Sequence, residues 1–273
     1  MPIVYYVDYA CPVKEAVKPG RMLRLLYARE RANEAVNKAR KEDPEVRPEE
    51  VSVSLSLRGD EGKSLRRMAA SDVLGQFSAL EKLSGHCSDC RARVEHYPFG
   101  CRARIDFPIT LRAEAFLMGL VHAQGADPTP TLLCNYLENN GMVGTRTAEM
   151  RKLPGVFFES DKPLVRRFAD DRRLSVNQLF ELLFLTDRIS SRHARFLLGL
   201  LGLYTDSLPL TPELHNLPNL FVVEKEDSGM LVKRAGLNLS ETPDADRCTR
   251  QMQNFFGALL LGSELDCDVW VKA

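Results

Sequence analysis

Three things are missing from this chain, and each absence removes a class of function. Long apolar runs are one: the most apolar stretch, residues 196–204, is far short of the ~20 residues that cross a bilayer. Charge of one sign is another. Lys and Arg number 37, and Asp and Glu also 37. No global basic field draws in nucleic acid, and any such contact needs a local patch. The third is an export signal: Met1-Pro2-Ile3-Val4 opens with no basic segment ahead of an apolar one. These absences lead us to expect a cytoplasmic protein with no membrane partner. Gly-x-Ser-x-Gly, His-Glu-x-x-His and Gly-x-Gly-x-x-Gly do not occur either, so the reading leans away from an enzyme. Internal repeats and low-complexity tracts are likewise missing.

What is present fits a folded globular chain. Hydrophobic residues make up 44% and charged residues 27%, and at this length a core forms without disulfides or a metal to hold it. Seven cysteines, an odd number, stand in a chain with no export signal. That combination points to a reducing compartment, where clustered cysteines act as metal ligands or reactive thiols more often than as disulfides.

Patterning predicts an α+β fold: a mixed sheet with packed helices, a mainly helical second half, and a C-terminal strand returning to the sheet. Residues 3–9 read as a strand. Residues 20–41 read as a helix with Met22, Leu25, Ala28, Ala32, Ala35 and Val36 on one stripe, its alanines implying close approach to a neighbour. Val51, Val53, Leu55 and Leu57 alternate with serines, as in a strand with one buried face. A turn over 58–63 then leads to a helix capped by Ser64, with Leu65, Ala69, Val73, Phe77 and Leu80 inward. A strand over 102–109 and helices over 111–123 and 127–137 follow.

The second half reads as helices over 161–171, 174–186 and 190–204, then an irregular stretch over 208–220. A β-hairpin joins 221–224 to 230–233. A last helix over 243–261 turns Cys248, Met252, Phe255 and Phe256 inward, and a strand over 268–272 ends the chain. We divide the chain into an α+β part carrying the cysteine cluster, 1–141, and a mainly helical part, 142–273. The returning strand would make the two one intertwined domain.

The chemistry concentrates in one segment. Cys87-x-x-Cys90 is a knuckle that sets two thiolates on one side of a tight turn; five residues further comes His96, and four further Cys101. Pro98 and Gly100 supply turn chemistry before the last cysteine. The spacing is one residue longer than in zinc knuckles of the retroviral type, which it resembles in the order of its donors. Structural zinc held by Cys87, Cys90, Cys101 and His96 is the leading reading, with His86, Cys11 and Cys134 as other fourth ligands. An iron–sulfur cluster on the same three cysteines, completed by Cys134 or Cys11, is the rival. Free thiols or a redox pair are the third. Cys134 and Cys248 read as core, and Cys267 has no evident partner.

Arg91, Arg93, Arg102 and Arg104 surround this segment, with Tyr97 and Phe99 between them. Basic and aromatic side chains on a rigid loop can pair with phosphates and stack on bases. The plainer reading is a strand whose arginines face water. Seven basic side chains over 21–41, among them Arg24, Arg31 and Lys38, read as a solvated helix face. Gly62-Lys63-Ser64 ends like a phosphate loop, but Leu57 stands where that loop needs its first glycine. His193 reads as an exposed residue near a helix start, in a buried helical hairpin rather than a helix-turn-helix reader. The sequence therefore predicts a non-enzymatic binding or adaptor protein with structural zinc, partnered by a protein or by nucleic acid. An iron–sulfur or thiol-based redox protein is the alternative.

Overall fold

Burial along the first strand sets the plane of the main sheet. Ile3, Tyr5 and Val7 are fully buried on one face, while on the other Val4 is half-buried and Tyr6 is 8% exposed, so one face lies on a core and the other is largely covered. A computed structural model describes residues 2–272 except 60–61, 96, 122–128, 154, 169–170, 202, 204–222, 227–228 and 233–244. The elements run β1 (Ile3–Val7), α1 (Pro12–Ala16), α2 (Pro19–Glu42), β2 (Ser52–Gly59), β3 (Gly62–Ala69), α3 (Ala70–Glu81) and a 3-10 turn (Ser84–Cys87). Then come β4 (Arg102–Ile105), α4 (Leu111–Gly119), α5 (Thr129–Asn139), α6 (Thr145–Arg151), β5 (Val165–Arg167) and β6 (Arg173–Ser175). The last are α7 (Val176–Phe184), β7 (Arg188–Ile189), α8 (Ser191–Leu200), β8 (Val223–Glu226), β9 (Gly229–Val232), α9 (Arg247–Glu264) and β10 (Val269–Lys272). The fold is α+β. Among the described residues no helix is long and apolar enough to cross a membrane.

The chain forms two compact units. The first comprises Met1–Tyr9, Ala92–His96 and Gly100–Ala273. Its sheet has the order β4-β1-β10-β7, every pair antiparallel, so the C-terminal strand does return to the N-terminal one. A parallel pairing occurs at the isolated bridge between Ile109 and Phe158. Tyr5 stands opposite Ala103 on one side and Val271 on the other. These three share one buried face with Ile3, Ile105 and Val269.

The last helix, α9, packs along that face. Phe255 meets Tyr5 edge-on with centroids 5.1 Å apart, a favoured aromatic geometry. The aromatic chain continues through Phe184 and Phe180 to Phe158. Helix α7, which carries the first two of these, is buried nearly all round, as a helix at the centre of a core must be. Ser175 starts it with a capping box, its Oγ accepting from Asn177 N and Gln178 Oε1 accepting from Ser175 N.

Residues 161–171 are not the expected helix. They lead into the β5–β6 hairpin, with Val165 opposite Ser175 and Asp171 at φ 61° in the turn. Pro163 pushes Lys162 out of helical backbone, and a left-handed Asp171 suits a turn. Helix α6 leaves no signal in the sequence because its seven residues show too little periodicity to read. The predicted hairpin near the C-terminus is present as β8 paired with β9, and the irregular stretch over 208–220 lies outside the described residues.

The second unit comprises Ala10–Arg91 and Tyr97–Phe99. Helices α2 and α3 pack together over a core of Ala32, Val36, Val53, Leu55, Ala70 and Val73. The small side chains let the helices approach closely, as the alanine stripe implies. The expected helix start at Ser64 is wrong. β3 runs through Gly62–Ala69 and pairs with β2 along its full length, Ser64 opposite Leu57 and Gly59 opposite Gly62. The helix begins at Ala70, where Val73, Phe77 and Leu80 take up the buried stripe. Leu65 and Ala69 fit helical spacing only because a short apolar pattern is compatible with both periods. The Gly-Lys-Ser tripeptide thus lies in a hairpin and opens no helix.

Candidate functional site

Cys87 closes the 3-10 turn, and Cys90 N donates to Cys87 O at 3.4 Å. Cys90 lies three residues beyond the end of that turn. Cys87 is buried and Cys90 half-buried. Cys101 belongs to the first unit, where its carbonyl accepts from Val7 N at 2.9 Å. His96 lies outside the described residues. Among the described residues no three His, Cys, Asp or Glu side chains are grouped to hold a metal ion, and none of the seven cysteines is in a disulfide. Cys134 and Cys248 are buried in α5 and α9. Burial pushes the Cys248 thiol up to about 11, which suits a core residue and not a nucleophile. Cys267, half-buried, donates its thiol to Leu265 O at 3.1 Å.

The four arginines flanking this segment separate. Arg91 is exposed in the second unit. Arg102 does not face water, being 4% exposed. Arg104 pairs with Asp106 at 2.9 Å. Both occupy the sheet face opposite to Ala103 and Ile105, in register with Tyr6 and Val4. Arg93 takes part in something the sequence did not announce: it lines a cleft of about 730 Å³ along α9, within the size range of small-molecule sites.

The cleft is built from the helix start. Asp246 caps α9, its carboxylate accepting from Thr249 N at 2.7 Å and from Thr110 Oγ1 at 2.6 Å. Burial alone would raise this carboxyl, but the hydrogen bonds from Thr110 and Thr249 outweigh it and hold the group below its ordinary value. Helical spacing then brings Arg247, Arg250, Gln251, Asn254, Gly257 and Leu261 onto one side. Residues 93–95 form the facing wall, with Val94 N and Glu95 N both donating to Gly100 O.

Most polar groups at the rim are already engaged. Gln251 and Asp106 form a double hydrogen bond, backbone N to Oε1 and Nε2 to Oδ2, each 2.9 Å. Arg247 reaches the same carboxylate at 2.7 Å. Asn254 Nδ2 donates to Glu95 at 2.8 Å, tying down the one carboxylate of the lining. Arg250 is exposed, and among the described residues no carboxylate pairs with it. The result is a recess with three guanidinium groups, carboxamides in the middle and leucines at the far end.

Arg93 stands out in the sequence, but none of the α9 residues does. Their only signal was the polar stripe opposite Met252, Phe255 and Phe256, which looks like any solvated helix face. His193 is not the exposed residue that its place near a helix start suggests. It is half-buried and shares a 2.8 Å hydrogen bond with the Tyr136 hydroxyl, and burial lowers its pKa. No protein-family model, no curated protein and no solved structure matches the chain.

Proposed function

We propose that the chain is a non-enzymatic binding or adaptor protein that receives an anionic stretch of its partner, a protein or a nucleic acid, in the cleft along α9. The observation that carries this reading is the convergence of Arg93, Arg247 and Arg250 on one recess whose single lining carboxylate is already held by Asn254. Guanidinium groups are suited to phosphate and carboxylate partners because their planar donors match two oxygens at once. Apart from Glu95, the lining consists of cations, amides and aliphatic side chains, groups that bind and orient a partner. Labelled heparin, a polyanion without bases, tests this. It should bind the full chain with an affinity that falls as salt rises, and Arg250→Ala should weaken it and flatten the salt dependence. Absence of binding at low salt, or indifference to Arg250→Ala, would remove the reading.

The same protein, in this reading, keeps a structural zinc ion on Cys87, Cys90, Cys101 and His96, in a reducing, cytoplasmic setting. Support comes from the donor set and from the tight backbone turn that links Cys90 to Cys87. Zinc bound by such a set adds directly to folding free energy, because the unfolded chain holds no preformed site. Metal content by mass spectrometry should give one zinc per chain in a colourless sample, and Cys101→Ala should lower the melting temperature. Iron with sulfide would shift the reading to a redox protein, and a metal-free chain would end it.

A further inference from the structure

The cleft is graded along α9, and the grading names a ligand. Arg250, Gln253, Gly257 and Leu260 or Leu261 follow one another at helical spacing. At 1.5 Å per residue, roughly 10 Å separate Arg250 from Gly257. Gln253 is only 7% exposed, lines the cleft, and has no side-chain hydrogen-bond partner among the described residues. Its donor and acceptor stand side by side, the pattern that pairs with the edge of a nucleobase.

The next position supplies room. A Cβ placed on Gly257 would meet no atom within 4 Å, so packing does not require glycine there, although glycine costs a helix about 1 kcal/mol relative to alanine. What glycine does provide is bare backbone on the cleft floor, over which a flat ring can lie. Leu260 and Leu261 border that floor with apolar surface.

We propose that the cleft takes a nucleotide unit: the phosphate at Arg93 and Arg250, the base edge on the Gln253 carboxamide, and the base plane over Gly257 against Leu260 and Leu261. This rests on the anion-binding reading above and specifies it. A polyanion alone would use the arginines and leave Gln253 and the leucine end empty. The unit can come from a free nucleoside phosphate or from single-stranded nucleic acid.

Calorimetric titration of the full chain tests it with adenosine monophosphate, ribose 5-phosphate and a short deoxyadenylate strand. Adenosine monophosphate or the strand should bind about tenfold or more tightly than ribose 5-phosphate, the contribution expected of a paired base edge. Tighter binding by the strand identifies nucleic acid as the source; tighter binding by the monophosphate identifies the free nucleotide. Gln253→Met should remove most of the preference. Gly257→Leu, whose Cβ enters open space in the cleft, should abolish it without lowering the melting temperature. Equal affinity for ribose 5-phosphate and both nucleotides, or wild-type binding by Gly257→Leu, overturns the proposal. If heparin still binds in an Arg250-dependent way, the anion site survives that failure; if heparin does not bind, both readings fall.

Discussion

Arg151 on α6 donates to Glu114 on α4 across 2.6 Å, with both side chains almost fully buried. Asn177 Oδ1 and Ser160 O take two further donors of the same guanidinium, each at 2.7 Å, and the Phe158 ring lies 4.0 Å beneath it. Burial pushes the Glu114 carboxyl up, while the hydrogen bond and charge of Arg151 pull it back. Nearby, Glu181 on α7 accepts from Gly144 N and Thr147 N at the start of α6, so two carboxylates organise one short helix.

Arg151→Met should therefore cost about 3–5 kcal/mol, because it leaves Glu114 buried and unpaired. The deficit should shrink on acidification. A carboxyl whose folded pKa lies above its ordinary 4.5 favours folding below that value and loses the contribution as pH rises through the folded pKa. Urea midpoints at neutral and acidic pH check both parts, and a variant as stable as the parent at neutral pH would show that the pair contributes nothing.

Two glycines of α9 should respond in opposite directions to alanine. At Gly257 the new methyl meets open space, and stability should rise by roughly 0.5–1 kcal/mol from helix propensity. At Gly262 it would come within 2.8 Å of Val269 Cγ2 and 3.0 Å of Cys267 O. The strand that follows must then shift, at a cost of about 1–3 kcal/mol. Thermal melts of the two variants side by side decide the point, since equal changes in one direction would contradict the packing around β10.

Removal of the α9 cap should be felt in the core as well as in the cleft. Asp246→Ala deletes the acceptor for Thr249 N and Thr110 Oγ1 and should cost about 1–2 kcal/mol. The carboxyl is held below its ordinary 3.8, so its contribution is present above that value and is lost as pH falls through the folded pKa. Denaturation midpoints of parent and variant should converge at low pH.

His193 should make the protein acid-sensitive in a window that opens near pH 6.5. Burial depresses its folded pKa below that ordinary value, so on acidification the unfolded chain takes up a proton that the folded one resists. Stability is complete above pH 6.5 and declines as pH falls from there towards the folded pKa. His193→Gln should flatten this part of the melting-temperature profile between pH 7.5 and 5.5; a profile of unchanged slope would mean that His193 is not its source.

Local pattern reaches as far as the two faces of β4. Arg102 and Arg104 alternate with Ala103 and Ile105, and the strand and its two faces follow from that alone. That Arg102 ends up buried and that Arg104 is held by Asp106 are matters of what lies nearby in space. The same holds for the hairpin over Gly62–Ala69, where Leu65, Ala69 and Val73 satisfy helical spacing while the ladder to β2 claims the first two. Cross-strand hydrogen bonds outweigh a weak periodic signal when a complementary strand lies a turn away.

Legible along the chain alone were the α+β class, the long α2 and α9 helices, the return of the last strand to the first, and the burial of Cys134 and Cys248. Each depends on apolar periodicity, which is a property of neighbours along the chain. Tertiary structure alone decided that Arg93 joins Arg247 and Arg250, that Gln253 faces a recess, and that Glu114 meets Arg151. These groups lie tens to more than a hundred positions apart, and no local pattern records which polar side chains the folded backbone will bring within hydrogen-bond reach.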